Sequence, residues 1–197
     1  MTFPILTRRY DAPPVDRDEI VRYAHGDVRD ARLADSIAAC LGQCLPTLRY
    51  EVCFARLPCH IADGTVSLGP LSINSTDLAA CLSSSPEAIV FAATVGIGVD
   101  KLIARASVTS PHDALLYQAI GAERIEALCD RFCRDIASGK PHTFRYSPGY
   151  GDLPLEIQKD LFSLLDCPRR IGLTLNDSLL MSPSKSVTAI FGIGELT

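Results

Sequence analysis

The chain has 197 residues, of which 47% are hydrophobic and 21% are charged. This is the composition of a globular protein of about one domain, and it excludes a disordered, collagenous or coiled-coil chain. Lysine and arginine number 19 against 23 acidic residues, which gives a formal net charge of −4. Because phosphate binding needs clustered basic residues, this mildly acidic chain is not expected to bind nucleic acid.

Two features of the sequence predict a cytoplasmic protein that does not bind a membrane. The most apolar stretch, residues 88–99, is shorter than the roughly 20 residues that a membrane-spanning helix needs. The N-terminal segment has no apolar signal region before a cleavage site.

The eight cysteines are expected to be reduced and mostly structural. Cys40 and Cys44 are four residues apart within a helical pattern, as are Cys129 and Cys133, so each pair lies on one helix face. The sequence has no Cys-x-x-Cys spacing, which is the usual signature of a zinc ribbon or a thioredoxin-like site. Cysteine is among the most buried residue types, but a cysteine-based redox or metal-binding protein remains the alternative.

We expect residues 1–15 to form an extended N-terminal arm and residues 16–197 to form one domain without an internal boundary. Periodicity, caps and turn residues then predict the following elements in chain order: helices over 16–24 and 27–45, strands over 48–55 and 65–68, a helix over 75–82, a strand over 87–95, helices over 99–107 and 110–138, a strand over 142–146, a helix over 154–165, and strands over 171–175 and 186–193. Helices and strands intermingle without regular β-α-β alternation, so the predicted fold class is α+β.

Glu126 lies at the margin of the apolar face of the long helix, beside the small residues Ala122 and Cys129. A carboxylate at an apolar surface costs free energy unless it is paired. One interpretation is an ordinary edge residue that reaches into solvent. The other is an anion that receives a cationic ligand in a cleft left open by the small side chains.

Residues 145–154 form a second candidate site. Arg145 ends a predicted strand, and Pro148 and Gly149 predict a tight turn whose main-chain groups are not used by a sheet. Such groups can bind the polar edge of a ligand. Tyr150 adds a flat aromatic face, and the guanidinium of Arg145 suits a carboxylate. The alternative is a plain loop that joins a strand to a helix.

The two candidate sites together match the parts of a zwitterionic nucleoside such as S-adenosylmethionine. Its sulfonium and ammonium groups suit an acidic residue, its carboxylate suits an arginine, and its adenine suits main-chain groups and an aromatic ring. Gly96 and Gly98 do not form a G-x-G-x-x-G motif, so a Rossmann methyltransferase is not indicated.

Three segments resemble the reactivation domain of cobalamin-dependent methionine synthase. They are RYSPGY at 145–150, IGLTLNDS at 171–178, and Met181 followed by PSKSV at 183–187. The resemblance is clearest over residues 111–194. It implies a single α+β domain with a bent, mainly antiparallel sheet and flanking helices.

The resemblance also implies a function. The chain would be a free-standing accessory protein that binds S-adenosylmethionine and supports reductive remethylation of cob(II)alamin in a separate methionine synthase or related corrinoid protein. Electrons would come from a flavodoxin- or ferredoxin-type donor, and the chain alone would show no turnover. An interaction scaffold that has lost ligand binding is a further alternative.

The implied ligand-binding residues are Arg145, the turn formed by Ser147, Pro148, Gly149 and Tyr150, and Glu126 on the long helix. Members of the family also carry an N-terminal acidic residue for the ligand amine. Asp16, Asp18 and Glu19 are candidates, and no motif selects one of them. The family's ligand-binding tyrosines follow the last strand, and the sequence up to Thr197 has no counterpart. We therefore expect weaker ligand binding, or binding that needs the partner.

Overall fold

The computed structural model describes residues 3–194. Its strands are β1 (Ile5–Tyr10), β2 (Tyr50–Ala62), β3 (Thr65–Leu68), β4 (Leu71–Asn74), β5 (Glu87–Thr94), β6 (Thr174–Leu175), β7 (Met181–Ser182) and β8 (Ser186–Ile193). Its helices are α1 (Arg17–Tyr23), α2 (Ala31–Cys44), α3 (Thr76–Leu82), α4 (Gly98–Thr109), α5 (Pro111–Ala137), α6 (Ile157–Leu165) and α7 (Cys167–Ile171).

The main sheet is antiparallel, with the strand order β4-β3-β2-β5-β8 and β1 paired to β2. Strand β2 has 13 residues and changes partners along its length. Its residues 51–58 pair with β5, its residues 50–55 pair with β1, and its residues 59–62 pair with β3. This change of partner curls the sheet. The predicted α+β fold with a bent antiparallel sheet and flanking helices is confirmed.

The central strands are buried on both faces because helices cover both sides of the sheet. Alternate residues of β2, β5 and β8 therefore enter two separate cores. One core lies against α1, α2, α4 and α5, and the other lies against α3, α6 and α7. In the first core, the ring of Phe132 on α5 packs against Phe54, Phe91 and Phe191, with ring centroids 4.8 to 6.2 Å apart. These aromatic contacts fix α5 across the three central strands.

Most of the predicted helices and strands form near their predicted positions. The segment 1–15 contains β1, which pairs with β2; Met1 and Thr2 lie outside the described residues. The predicted strand over 171–175 is shorter than expected, because Ile171 ends α7 and Gly172 turns the chain with a φ of 65°. The predicted strand over 142–146 is reduced to isolated bridges of His142 and Tyr146 with β8.

None of the helices within residues 3–194 is both long and apolar enough to cross a membrane.

Candidate functional site

Helix α5 forms the floor of the candidate site. Ser110 caps its first turn, with the Ser110 hydroxyl accepting from the Asp113 N–H at 3.3 Å, and Pro111 occupies the first helical position. The helix ends at Ser138, which adopts a left-handed conformation. Because α5 is packed between the sheet and helices α1, α2 and α4, its side chains are held in defined positions.

A buried ion pair on α5 holds the N-terminal segment. The side chains of Glu123 and Arg124 form a salt bridge and are 2% and 0% exposed. The guanidinium of Arg124 also donates to the carbonyl oxygens of Pro13 at 2.6 Å and Pro14 at 2.7 Å. The Asp16 N–H donates to the carboxylate of Glu123 at 3.0 Å. Residues 13–16 are therefore fixed on α5 by charge-assisted hydrogen bonds.

This attachment forms one wall of a cleft of about 810 Å³ over α5. Six of its twelve lining residues are acidic and two, Arg17 and Arg134, are basic, so the lining has an excess of negative charge. The acidic residues come from the N-terminal segment and from α5: Asp16, Asp18, Glu19, Glu123, Glu126 and Asp130. The cleft thus joins Glu126 to the three N-terminal acidic candidates. A cavity with this lining attracts a cation.

The three N-terminal acidic residues differ in whether their carboxylates already form hydrogen bonds or ion pairs within the protein. Asp16 caps α1 by accepting from the Glu19 N–H at 3.0 Å. Glu19 forms a salt bridge with Arg22. The carboxylate of Asp18 lines the cleft and makes no hydrogen bond or ion pair with any residue of the described range 3–194. Asp18 is therefore the candidate that is available to a ligand.

Arg145 is not part of the cleft lining, but it contacts two carboxylates of α5 that line the cleft. Its Nη2 is 2.7 Å from Glu126 Oε2 and 3.1 Å from Asp130 Oδ1. The side chains of Arg145, Glu126 and Asp130 are 23%, 42% and 56% exposed. The Nη1 of Arg145 is buried and has no hydrogen-bond partner among the described residues. An unpaired guanidinium N–H favours a ligand acceptor such as a carboxylate.

A second cavity of about 310 Å³ continues from Arg145 along the sheet edge and is lined by Asp130, Cys133 and residues 142–145. Burial raises the pKa of the Cys133 thiol to about 12, although nearby Arg145 lowers it. Burial also raises the pKa of Cys129. Both thiols are therefore protonated at neutral pH, and Cys133 adds a small uncharged group to the lining of this cavity beside Arg145.

The burial expected for the helical cysteines is confirmed, since Cys40, Cys44, Cys129 and Cys133 are all buried. Cys59 and Cys81 are partly exposed. Within residues 3–194, no group of three or more potential ligands is placed to hold a metal ion.

The turn at Ser147, Pro148, Gly149 and Tyr150 lies beyond Arg145 and outside both cavities. Two of its N–H groups donate hydrogen bonds to main-chain carbonyl groups, contrary to the expectation that its main-chain groups would be free. The Gly149 N–H donates to the Leu153 carbonyl at 2.9 Å, and the Tyr150 N–H donates to the Ser147 carbonyl at 3.1 Å. The Gly149 carbonyl accepts no hydrogen bond from the described residues.

An aromatic row connects the second cavity to this turn. The ring of Tyr146 is 6.0 Å from that of Phe144 and 6.3 Å from that of Tyr150. Phe144 and Tyr150 are 67% and 71% exposed. The structure therefore brings Glu126 and Arg145 into direct contact, and it places the turn from Ser147 to Tyr150 farther along the same edge.

Sequence reasoning missed Glu123, Arg124 and Asp130. Two adjacent charges in the middle of an apolar helix were a signal for the buried pair, because a charge on a buried face needs a partner. Asp130 follows Glu126 by one helical turn, a spacing that places both carboxylates on one face of the helix.

Two other large cavities lie elsewhere. One of about 580 Å³ is lined by residues 9–12 and 45–51, and one of about 590 Å³ lies between α6 and the segment 174–177. Neither is lined by Glu126 or Arg145.

Residues 132–195 match the profile of a family described as vitamin B12 dependent methionine synthase, activation domain. The matched range includes Arg145 and the turn from Ser147 to Tyr150, and it excludes Glu126. The resemblance predicted from the sequence is confirmed.

The whole fold is also similar to that of an activation domain. A structure described as the crystal structure of the MetH reactivation domain bound to AdoHcy matches with a TM-score of 0.73 and 13% sequence identity. The match covers 99% of this chain and 81% of that chain. No curated protein matches the sequence at a significant level.

The buried ion pair gives a first prediction. Arg124→Met leaves the charge of Glu123 buried without its partner, and we expect it to lower the free energy of unfolding by about 3–5 kcal/mol. The matched control is Arg131→Met on the same helix, where the salt bridge to Asp135 is half-exposed and its loss costs about 1 kcal/mol or less. Chemical denaturation measures the free energy of unfolding of both variants. Equal stability of the two variants would contradict the role given to Arg124.

Proposed function

We propose that this chain binds S-adenosylmethionine in the cleft over α5 and supports the reductive remethylation of cob(II)alamin in a separate cobalamin-dependent methionine synthase or related corrinoid protein. The observation that carries this proposal is Arg145, which is held by Glu126 and Asp130 and whose buried Nη1 has no partner among residues 3–194. The family match over residues 132–195 and the AdoHcy named in the matching structure support the same ligand class.

The amino-acid end of S-adenosylmethionine complements the ion pair of Arg145 and Glu126. The ligand carboxylate would accept from Nη1 of Arg145, and the ligand ammonium would donate to Glu126 and Asp130. The ligand then adds one positive and one negative charge to a site that already contains both, so each charge finds an opposite partner. This exchange favours a zwitterion over a ligand that carries a single charge.

The ligand ammonium would also face the acidic part of the cleft. Asp18 lines this cavity, and its carboxylate makes no hydrogen bond or ion pair within residues 3–194; the Asp16 N–H bond to Glu123 holds the segment that carries it. A fixed carboxylate near an ammonium contributes electrostatic attraction without a cost of reorganisation. We therefore assign Asp18 as the N-terminal acidic residue for the ligand amine.

The adenosyl end would extend along the sheet edge toward the turn. The exposed ring of Tyr150 offers a stacking face, and the Gly149 carbonyl can accept from the adenine amino group. Ser147 and Pro148 shape the turn between Arg145 and these two groups. In this arrangement Glu126 and Arg145 would contact one end of an elongated ligand, and Gly149 and Tyr150 would contact the other.

The methyl acceptor would be the cobalt of the partner's cobalamin. That cobalamin, reduced by one electron from a flavodoxin- or ferredoxin-type donor, would accept the methyl group of the bound S-adenosylmethionine and would leave S-adenosylhomocysteine in the cleft. The role of this chain would be to hold and orient the methyl donor, and positioning contributes about 7–11 kcal/mol to such reactions. The open cleft allows a partner to supply the alignment of cobalt with that donor.

Binding depends on Arg145 in this proposal. We expect Arg145→Ala to weaken S-adenosylmethionine binding at least tenfold, because removal of one member of a charge pair commonly costs about 2–5 kcal/mol. Arg145→Lys also loses affinity, since an ammonium does not reproduce the planar fork. Titration calorimetry measures the affinity.

Arg56→Ala is the control, because Arg56 is a half-exposed arginine paired with Glu87 and lies outside the cleft. Equal affinity of Arg145→Ala and Arg56→Ala would refute the assignment.

The reaction itself is tested with a methionine synthase that lacks its own reactivation domain and is loaded with cob(II)alamin. With a strong one-electron reductant and S-adenosylmethionine, we expect methylcobalamin to form at a rate that rises with the concentration of this protein. The absorption spectrum of the corrinoid follows the reaction. Arg145→Ala and Tyr150→Ala should slow it, and Arg56→Ala should not. The proposal is wrong if remethylation is equally fast without this protein.

A further inference from the structure

The turn that would hold the adenosyl group is fixed to helix α3 by one carboxylate. Asp152 Oδ2 accepts from the Thr76 N–H at 2.7 Å and from the Thr76 hydroxyl at 2.6 Å, and Oδ1 accepts from the Asp77 N–H at 3.3 Å. The Ser75 hydroxyl also donates to Asp152. In return, the Asp152 N–H donates to the carboxylate of Asp77 at 3.2 Å.

These contacts satisfy helix groups that would otherwise lack partners. The first N–H groups of a helix have no partner within the helix. At the start of α3, Ser75 accepts from the Leu78 N–H at 3.0 Å, and Asp152 accepts from the N–H groups of Thr76 and Asp77. The hydrogen bonds from Ser75 and Thr76 lower the pKa of Asp152 to about 2. Asp152 is therefore ionised throughout the pH range of a binding assay.

The contacts also fix the shape of the turn. Gly151 has a φ of 51°, and a Cβ at this position would come within 2.2 Å of the Asp77 carboxylate and 2.3 Å of the Tyr146 hydroxyl. A side chain would therefore separate the turn from α3. On the other side, Tyr146 exchanges backbone hydrogen bonds of 2.8 and 2.9 Å with Ile190 of β8. The turn is thus attached to β8 before it and to α3 after it.

We propose that Asp152 is a positioning residue that holds the ring of Tyr150 in place for the adenosyl group, an inference that rests on the proposed function. Tyr150 is 71% exposed, and its ring contacts the edge of the Tyr146 ring at a centroid distance of 6.3 Å. Its position therefore depends largely on the backbone from residue 147 to residue 153. A ring that is already oriented binds a ligand with less loss of conformational freedom.

The test uses Asp152→Asn in the full chain. The amide replaces one carboxylate oxygen with a donor, so the N–H of either Thr76 or Asp77 loses its acceptor. The control is Asp160→Asn, because Asp160 is exposed on α6 and makes no side-chain hydrogen bond or ion pair with the described residues. In the absence of ligand, we expect Asp152→Asn to speed amide exchange at Tyr150 and Leu153, which donate within the turn, and Asp160→Asn to leave it unchanged.

Titration with S-adenosylmethionine completes the test. We expect Asp152→Asn to weaken binding about tenfold in the wild-type background and less than twofold in a Tyr150→Ala background, because both changes act through the same ring. A general loss of stability would reduce affinity equally in both backgrounds. If wild type binds and Asp152→Asn binds equally well, or loses the same factor in both backgrounds, the positioning role is wrong and the proposed function stands. If wild type does not bind, the proposed function is wrong and the role of Asp152 is refuted with it.

Discussion

The buried ion pair of Glu123 and Arg124 is the interaction on which the cleft depends. A guanidinium without solvent contact must find acceptors inside the protein. Arg124 finds them in Glu123 and in the carbonyl oxygens of Pro13 and Pro14, which are 111 and 110 residues away along the chain. The N-terminal segment is thereby placed over α5, and without this attachment Asp18 and Glu126 would not line one cavity.

The segment RYSPGY at residues 145–150 places its side chains on two sides of the sheet because it follows the sheet edge. Residues 142–146 follow the edge of β8 through bridges at His142 and Tyr146. Arg145 lies on the side of α5, whereas Tyr146 and Leu153 pack into the core against α3 and α6. Residues that are adjacent in the sequence thus face both sides of the sheet edge. A ligand that contacts Arg145 and Tyr150 together must be elongated, as an adenosyl amino acid is.

The elements that the sequence predicted best are those with strong local signals. The cap at Ser110 and the long apolar pattern predicted α5, and the continuous apolar run predicted β5. Local signals also placed Glu126 at the margin of an apolar face, and its side chain is 42% exposed. The resemblance at residues 145–150 selected Arg145 and the turn as candidate ligand-binding residues, and that assignment stays a prediction.

The features that the sequence did not predict depend on contacts between distant residues. The pairing of β1 with β2 joins Ile5 to Ala55, and no local pattern encodes such a partner. The contact between Arg145 and Glu126 spans 19 residues and needs both α5 and the edge of β8. The attachment of Asp152 to α3 spans 77 residues. A single sequence gives the residue types for these contacts but not their pairing.

Amide hydrogen exchange with and without S-adenosylmethionine locates the bound ligand. We expect the ligand to slow exchange in residues 15–19, 123–134 and 142–150. We expect no change in residues 159–177, the segment that contains the lining of the separate cavity beside α6. Protection confined to residues 159–177, or binding without protection at residues 15–19 and 123–134, would show that the ligand does not bind in the cleft over α5.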